Sequence, residues 1–307
     1  MISAAQAPLD APTAQAVMAR VATENFTVAS VVLPRRARSH LLAVYGFARL
    51  VDELGDADAD APGGRSPAER LASLDWLEGE LDRAFRGDAA SSPEGEHPLL
   101  VRLAQTVREL GLAREPFARL IEANRVDQRV SRYHTWEGLR GYCALSADPV
   151  GELVLGVFGL ATPARIALSD SICTALQLIE HCQDVAEDLA RGRVYLPLED
   201  LARFGCAESD LAAAHAGGPL QAVLAFEVAR ARGLLADGTP LLAQLRGRPK
   251  LAVAAFIAGG HAALGAIERA RYDVLAGPAR AGRTRRLLAL APTLRAGHNA
   301  TGRSAGS

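Results

Sequence analysis

The sequence predicts an all-α fold, and three observations carry that expectation. Leu, Ala and Arg dominate the 307 residues, and the β-branched alternation of strands is almost absent. Helix-starting punctuation recurs, as in Ser66-Pro67 with Glu69 three residues after the cap, and in Thr162-Pro163. Two long apolar stretches follow such starts, one from Pro34 to about residue 54 and one from Pro163 to about residue 189.

Between these lie further helical segments at about 67–85, 98–110, 115–130, 136–146, 149–160, 219–236 and 250–275. Small, charged and Gly/Pro-containing loops separate them at 56–67, 86–98, 190–197 and 246–249. No shift in composition is sharp enough to divide the chain, so one helical domain over 1–307 is expected. Residues 1–12 and about 297–307 are small and polar, and are expected to be disordered.

Composition narrows the function. Hydrophobic residues make up 49% of the chain, enough for a sizeable core. A net charge of −1 and 5% aromatic residues argue against nucleic acid as a partner. Cys143, Cys173, Cys182 and Cys206 lack zinc spacing and read as reduced thiols in or near a helical core. That fits a cytoplasmic protein. The start, MISAAQAPLDAPTAQ, lacks the basic and apolar regions of a signal peptide. The longest uncharged run, 251–267, falls short of the roughly 20 apolar residues of a span and reads as a buried helix.

Chemistry is concentrated on two helices. At about 100° per residue, Tyr45, Arg49, Asp52 and Asp56 form one narrow stripe. Gln177, His181, Asp184 and Asp188 repeat the same offsets. A polar stripe on an apolar helix faces a cavity or a partner. An acid pair at i,i+4 is common on a solvated helix end. Two pairs, each at the C-terminal part of a long apolar helix, are harder to dismiss, because carboxylates there oppose the helix dipole. Four carboxylates suit a hard divalent ion, and Mg²⁺ shared with substrate phosphates fits best. The expected chemistry is metal-assisted loss of diphosphate from an apolar substrate in a dry pocket.

These segments resemble the squalene/phytoene synthase family. ENFTVASVVLPRRARSHLLAVYGFARLVDELGD (24–56) matches its first segment through Phe26, Tyr45, Arg49, Asp52 and Asp56. DQRVSRYHTWEGLRGYCALSADPVG (127–151) matches the middle one through Asp127, Tyr133, Tyr142, Cys143 and Val150-Gly151. LQLIEHCQDVAEDLARGRVYLP (176–197) matches the second aspartate motif through Gln177, Asp184, Asp188, Arg193, Tyr195 and Pro197. The match covers about 24–275. It departs from the family at Glu180 and Gln183, where Asn and Arg are usual, and at Gly260 and His261, where many relatives have tyrosines. His261 reads as a core or pocket-wall residue.

The resemblance implies an isoprenoid-synthase helical bundle around a central apolar cavity. ENFTVAS, YCALSADPVG and QDV look most like the family's hopanoid-pathway subgroup, which acts as hydroxysqualene synthase. That implies conversion of presqualene diphosphate and water to hydroxysqualene and diphosphate without NADPH. Sister pathway enzymes would make the substrate from farnesyl diphosphate and reduce the product. Condensation of two prenyl diphosphates is the alternative within the family. A non-catalytic member would be expected to lose the aspartates, and all four are present.

On this reading Asp52, Asp56, Asp184 and Asp188 hold Mg²⁺, for which Mn²⁺ can substitute. Arg49 holds diphosphate oxygens, or alternatively pairs with Asp52 or Glu53 on its own helix. Tyr45 donates to the leaving group or packs. Phe26, Tyr133, Gln177, Arg193 and Tyr195 contact substrate, the last two from a loop where a lid would sit. Arg35, Arg36 and Arg38 form a basic run, by default a solvated face and alternatively a contact for diphosphate or anionic headgroups of the inner membrane face.

Overall fold

A computed structural model describes residues 12–19, 33–55, 64–87, 97–277, 279–282, 289–290 and 292–294. Phe26 and Asp56 lie outside them, as do residues 1–11 and 297–307. The described residues are helical and contain no strand, as the composition implied. They fall into two compact units, 1–129 with 152–161, and 130–151 with 162–307.

The first unit holds α1 (Ala14–Ala19), α2 (Arg35–Gly55), α3 (Pro67–Arg86), α4 (Pro98–Leu110) and α5 (Glu115–Asp127). The start of α3 is the capping box read from the sequence. Ser66 Oγ accepts from the Glu69 amide, and the Ser66 amide donates 2.8 Å to Glu69 Oε2. The helix ends at Gly87, whose φ of +82° suits glycine. The unit's core gathers around Phe47 of α2, fully buried and edge-on to Phe117 of α5 at 5.2 Å. Polar clamps surround that core. Arg114 reaches Asp82 and Glu78, while Arg125 reaches Asp75 and Glu78. Burial pushes the Glu78 carboxyl up, but hydrogen bonds from Arg125 and Arg114 outweigh it and hold the group below the usual range. Of the basic run, Arg35 and Arg36 are exposed, and Arg36 pairs with Glu109 at 3.5 Å.

The second unit holds α6 (Trp136–Ser146), α8 (Pro163–Gln183), α9 (Val185–Ala190), α10 (Leu198–Arg203), a 3₁₀ turn at Glu208–Ala212, α11 (Gly218–Gly238), α12 (Leu241–Gln244) and α13 (Gly247–Arg269). Between α6 and α8 runs α7 (Asp148–Val157), whose first turn belongs to this unit. The helix expected to run unbroken to about 189 is two helices, because Asp184 leaves helical geometry at φ −106° and ψ 20°. Neither proline nor glycine stands at 183–185, so no residue type announced the break.

Close approach dictates small residues here. A Cβ on Gly238 of α11 would sit 2.4 Å from Ile172 and 2.7 Å from the Leu168 carbonyl of α8. One on Gly260 would meet Leu176 at 2.9 Å and Leu235 at 3.1 Å, so the packing favours glycine at this position. His261 is solvent-accessible and not a core residue, between the buried Gly260 and Ala262, and partial burial lowers its pKa. By length and composition α13 is apolar enough to cross a membrane, and 56% of its most apolar window is buried within the protein. The four cysteines are free thiols, three of them buried.

Two buried ionic groups hold this unit. Asp148, 1% exposed, receives Thr174 Oγ1 and Arg140 Nη1, each at 2.8 Å. Arg230 of α11 donates to Asp200 at 2.9 Å and to both oxygens of the wholly buried Glu227, with Trp136 and Phe226 against its guanidinium at 4.6 and 4.7 Å. One guanidinium serves two buried carboxyls. Burial, with a contribution from Asp200, pushes Glu227 up to about 8 despite the favourable pull of Arg230. A raised carboxyl pKa contributes stability that is present below the unfolded value and lost as pH rises through the folded one. Glu227→Gln is therefore expected to gain on the parent in melting temperature between about pH 5 and about pH 8.5. Parallel melting curves across that range would contradict the assignment.

Candidate active site

In the first unit, α2 presents Tyr45, Arg49 and Asp52 along one half-buried face. Arg49 lies 3.4 Å from Asp52 Oδ2 and 3.1 Å from Glu53 Oε1, so the intrahelical pairing weighed from the sequence is the arrangement found. Asn124 of α5, which the sequence did not single out, donates at 3.5 Å to the other Asp52 oxygen. A Cβ on Gly55 would stand 2.1 Å from Asn124 Oδ1, so glycine at the end of α2 lets α5 come this near. Gln128 Nε2 caps the helix end by donating 3.0 Å to the Gly55 carbonyl. Together Asn124 and Gln128 fix the position from which Asp52 projects.

In the second unit the sequence stripe is largely realised across the break. Gln177 and His181 sit on the last turns of α8, and Asp184 and Asp188 follow at the junction with α9. Gln177 Nε2 is 3.3 Å from His181 Nε2. With that amide donating, His181 carries its proton on Nδ1, the nitrogen 3.9 Å from Asp188 Oδ2. Asp184 is both the last cap of α8 and the first of α9, yet its side chain makes no capping hydrogen bond, so the carboxylate stays available. Burial raises its pKa, Glu187 and Asp188 raise it further, and Arg280 and His181 pull the other way. Glu180, one of the two departures from the family motif, is exposed.

Behind the aspartates stands a ring cluster. His181 stacks on Tyr195 with centroids 4.0 Å apart and planes 12° from parallel. Tyr133 and Tyr142 pack on Tyr195 at 5.8 and 5.6 Å. The loop expected as a lid is tied down at this point. The Val194 amide donates 2.9 Å to Ser131, the Leu198 amide 2.9 Å to Tyr133, and Arg132 bridges the Gly192 carbonyl and both oxygens of Glu208. His181, Asp188, Arg193 and Tyr195 border a recess of about 10 Å³, the room of a single water. A larger groove of about 380 Å³ lies elsewhere, between α11 and Glu268 and Tyr272.

This donor set fits a hard cation. It consists of carboxylates, one of them held above its usual range by burial and by neighbouring acids. Among the described residues no three His, Cys, Asp or Glu side chains converge on a metal position. A hard ion such as Mg²⁺ would need only one or two of these carboxylates, with oxygens from elsewhere completing its shell.

The model of the squalene/phytoene synthase family matches residues 19–287. The chain belongs to that family. Members act on prenyl diphosphates in isoprenoid biosynthesis, and this chain is a prenyltransferase-type enzyme of the family. It is 34% identical over 227 residues to a hydroxysqualene synthase of Rhodopseudomonas palustris, covering 73% of this chain and 72% of the relative. It is 31% identical over 265 residues to a 15-cis-phytoene synthase of Synechococcus elongatus, covering 82% of each. Among solved structures, squalene synthase HpnC of Alicyclobacillus acidocaldarius superposes with a TM-score of 0.74 at 43% identity, over 84% of this chain and 93% of that one. A dehydrosqualene synthase superposes at 0.77 with 23% identity, a likeness of isoprenoid-synthase fold.

Burial and the neighbouring acids raise the pKa of Asp184, so its charged form costs folding stability at neutral pH. Asp184→Asn is expected to melt at a higher temperature than the parent at neutral pH in divalent-free buffer, while losing activity. A variant that melts several degrees lower would show that the carboxylate serves the fold.

Proposed function

We propose that this enzyme converts presqualene diphosphate and water to hydroxysqualene and diphosphate, with Mg²⁺ and without NADPH. The observation that carries this reading is Gln183. Family members usually place arginine there. In this chain the side chain is neutral, and its amide donates 2.5 Å to the Ala279 carbonyl. A second motif with one fixed positive charge fewer suits one diphosphate better than two at once. The 34% identity to hydroxysqualene synthases over nearly three quarters of the chain supports the same choice.

The reaction breaks the bond between the substrate's C1 and the diphosphate oxygen, and the electron pair leaves with diphosphate. The cyclopropylcarbinyl cation opens, water supplies the oxygen, and a proton is released. No hydride is required. Bound Mg²⁺, held by Asp52 and Asp56 and by Asp184 and Asp188, would neutralise charge developing on the leaving group. Arg49 and Arg193 supply charge-assisted donors to diphosphate oxygens. For Arg49 this means exchanging the carboxylates of Asp52 and Glu53 for phosphate oxygens as substrate binds. Tyr45 donates to the leaving group. Phe26 would contact the prenyl chain, as the family resemblance implies. The packed Tyr133, Tyr195 and His181 rings would help keep bulk water from the second acidic pair. Peripheral contact with the inner membrane face, through Arg35 and Arg36, would ease exchange of a C30 product with sister hopanoid-pathway enzymes.

Purified enzyme supplied with presqualene diphosphate, Mg²⁺ and ¹⁸O-labelled water, without NADPH, is expected to give a labelled C30 alcohol. Consumption of farnesyl diphosphate to a cyclopropyl diphosphate, with no alcohol, would establish the alternative, head-to-head condensation. The 31% identity to a phytoene synthase over 82% of each chain is what favours that second reading. Activity is expected to vanish in EDTA and return with Mg²⁺ or Mn²⁺. Asp52→Asn and Asp184→Asn are each expected to lower kcat by about 10²-fold or more, the scale of lost charge stabilisation in the transition state. Losses of only about twofold in both would remove these residues from the metal site.

A further inference from the structure

The positive charge missing from the helix is present from another part of the chain. Arg280 Nη2 lies 3.9 Å from Asp184 Oδ1. Its neighbour Ala279 is the residue whose carbonyl accepts the Gln183 amide. Gln183 and Asp184 are adjacent, as are Ala279 and Arg280. Two contacts in register therefore hold the 279–280 segment against the α8–α9 junction, one through the backbone and one through charge. The Arg280 side chain is 65% exposed and that of Asp184 32% exposed, so the pair opens to solvent and an ion can compete for it. Among the described residues, Glu187 and Asp188 act on the Asp184 carboxyl in one direction and Arg280 and His181 in the other, Arg280 more strongly than His181.

An arginine at position 183 would be fixed to the helix and would remain beside the acids whether or not metal was present. An arginine on a separate segment can leave. We propose that Arg280 is the removable counter-charge of Asp184, positioned by the Gln183 hydrogen bond to Ala279, and that a divalent cation must displace it to use the Asp184 carboxylate. This rests on the metal-dependent reading above. It assigns Gln183 a positioning role, and it makes occupancy of the second acidic pair a competition between a guanidinium and a metal ion for one oxygen.

The test is Mn²⁺ binding to the full-length enzyme without substrate, followed by electron paramagnetic resonance up to millimolar Mn²⁺. Arg280→Ala is expected to bind Mn²⁺ about two- to five-fold more tightly than the parent, the range set by a partly exposed ion pair. Gln183→Ala, which frees the segment, is expected to move affinity in the same direction by less. Adding Gln183→Arg to Arg280→Ala restores a fixed charge and is expected to weaken Mn²⁺ binding again, a reversal that loss of packing would not produce. Melting curves for each variant establish that it is folded. Parent and Arg280→Ala binding Mn²⁺ equally would overturn the counter-charge while leaving the metal site intact. A double variant that binds as tightly as Arg280→Ala would overturn it too. Binding by neither parent nor variant would overturn both this inference and the metal assignment on which it rests.

Discussion

Negative charge at the C-terminal ends of apolar helices is the constraint around which this protein is organised. The last turn of a helix already carries partial negative charge, and carboxylates placed there raise the local potential further. The chain does this on α2 and again where α8 gives way to α9. At each place it supplies partial relief. Arg49 and Asn124 attend Asp52, and Arg280 and His181 attend Asp184. Neither arrangement closes over the carboxylate. Asp52 keeps 45% of its side chain exposed and Asp184 keeps 32%. A chain selected for stability alone would have put lysine or a neutral residue at these ends.

The supporting structure follows from the need to hold those ends still. Gly55 permits the approach of α5, and α5 then brings Asn124 and Gln128 to the end of α2. In the second unit Asp148, Thr174 and Arg140 fix the start of α7 against α8, and Gly151 allows that contact, since a Cβ there would lie 2.3 Å from Ser169 Oγ. Buried charge of this kind adds little net stability against apolar packing, but removing one partner leaves the other stranded. Arg230, shared by Asp200 and Glu227, shows the same economy on a face of α11.

Helices were legible because their signals are local. The Ser66 and Thr162 caps and the prolines after them set the starts of α3 and α8 as read. The break at Asp184 was not legible, since it depends on tertiary surroundings rather than residue type. The stripe was legible in the periodicity, which placed Tyr45, Arg49 and Asp52 on one half-buried face and Gln177, Asp184 and Asp188 in succession at the α8–α9 junction. The site was opaque where a partner comes from far along the chain. Asn124 stands 72 positions from Asp52, and Ala279 stands 96 from Gln183. Nothing in ANRVDQ or GPARAG marks either for its role. Gln183 itself was read as a missing charge, and only the contact with Ala279 showed what its amide does.

The pinned loop from Gly192 to Pro197 has a kinetic meaning. Its backbone is fixed to the 131–134 segment by a ladder of amide donors, and Arg132 clamps it to Glu208. Tyr195 is thereby held stacked on His181. A wall that stands ready need not be recruited from a minor population, so apparent affinity is not divided by a small competent fraction. The corresponding cost falls on departure. A wall that does not swing aside leaves passage in and out to the rest of the boundary, and release then weighs more in turnover than it does behind a mobile lid.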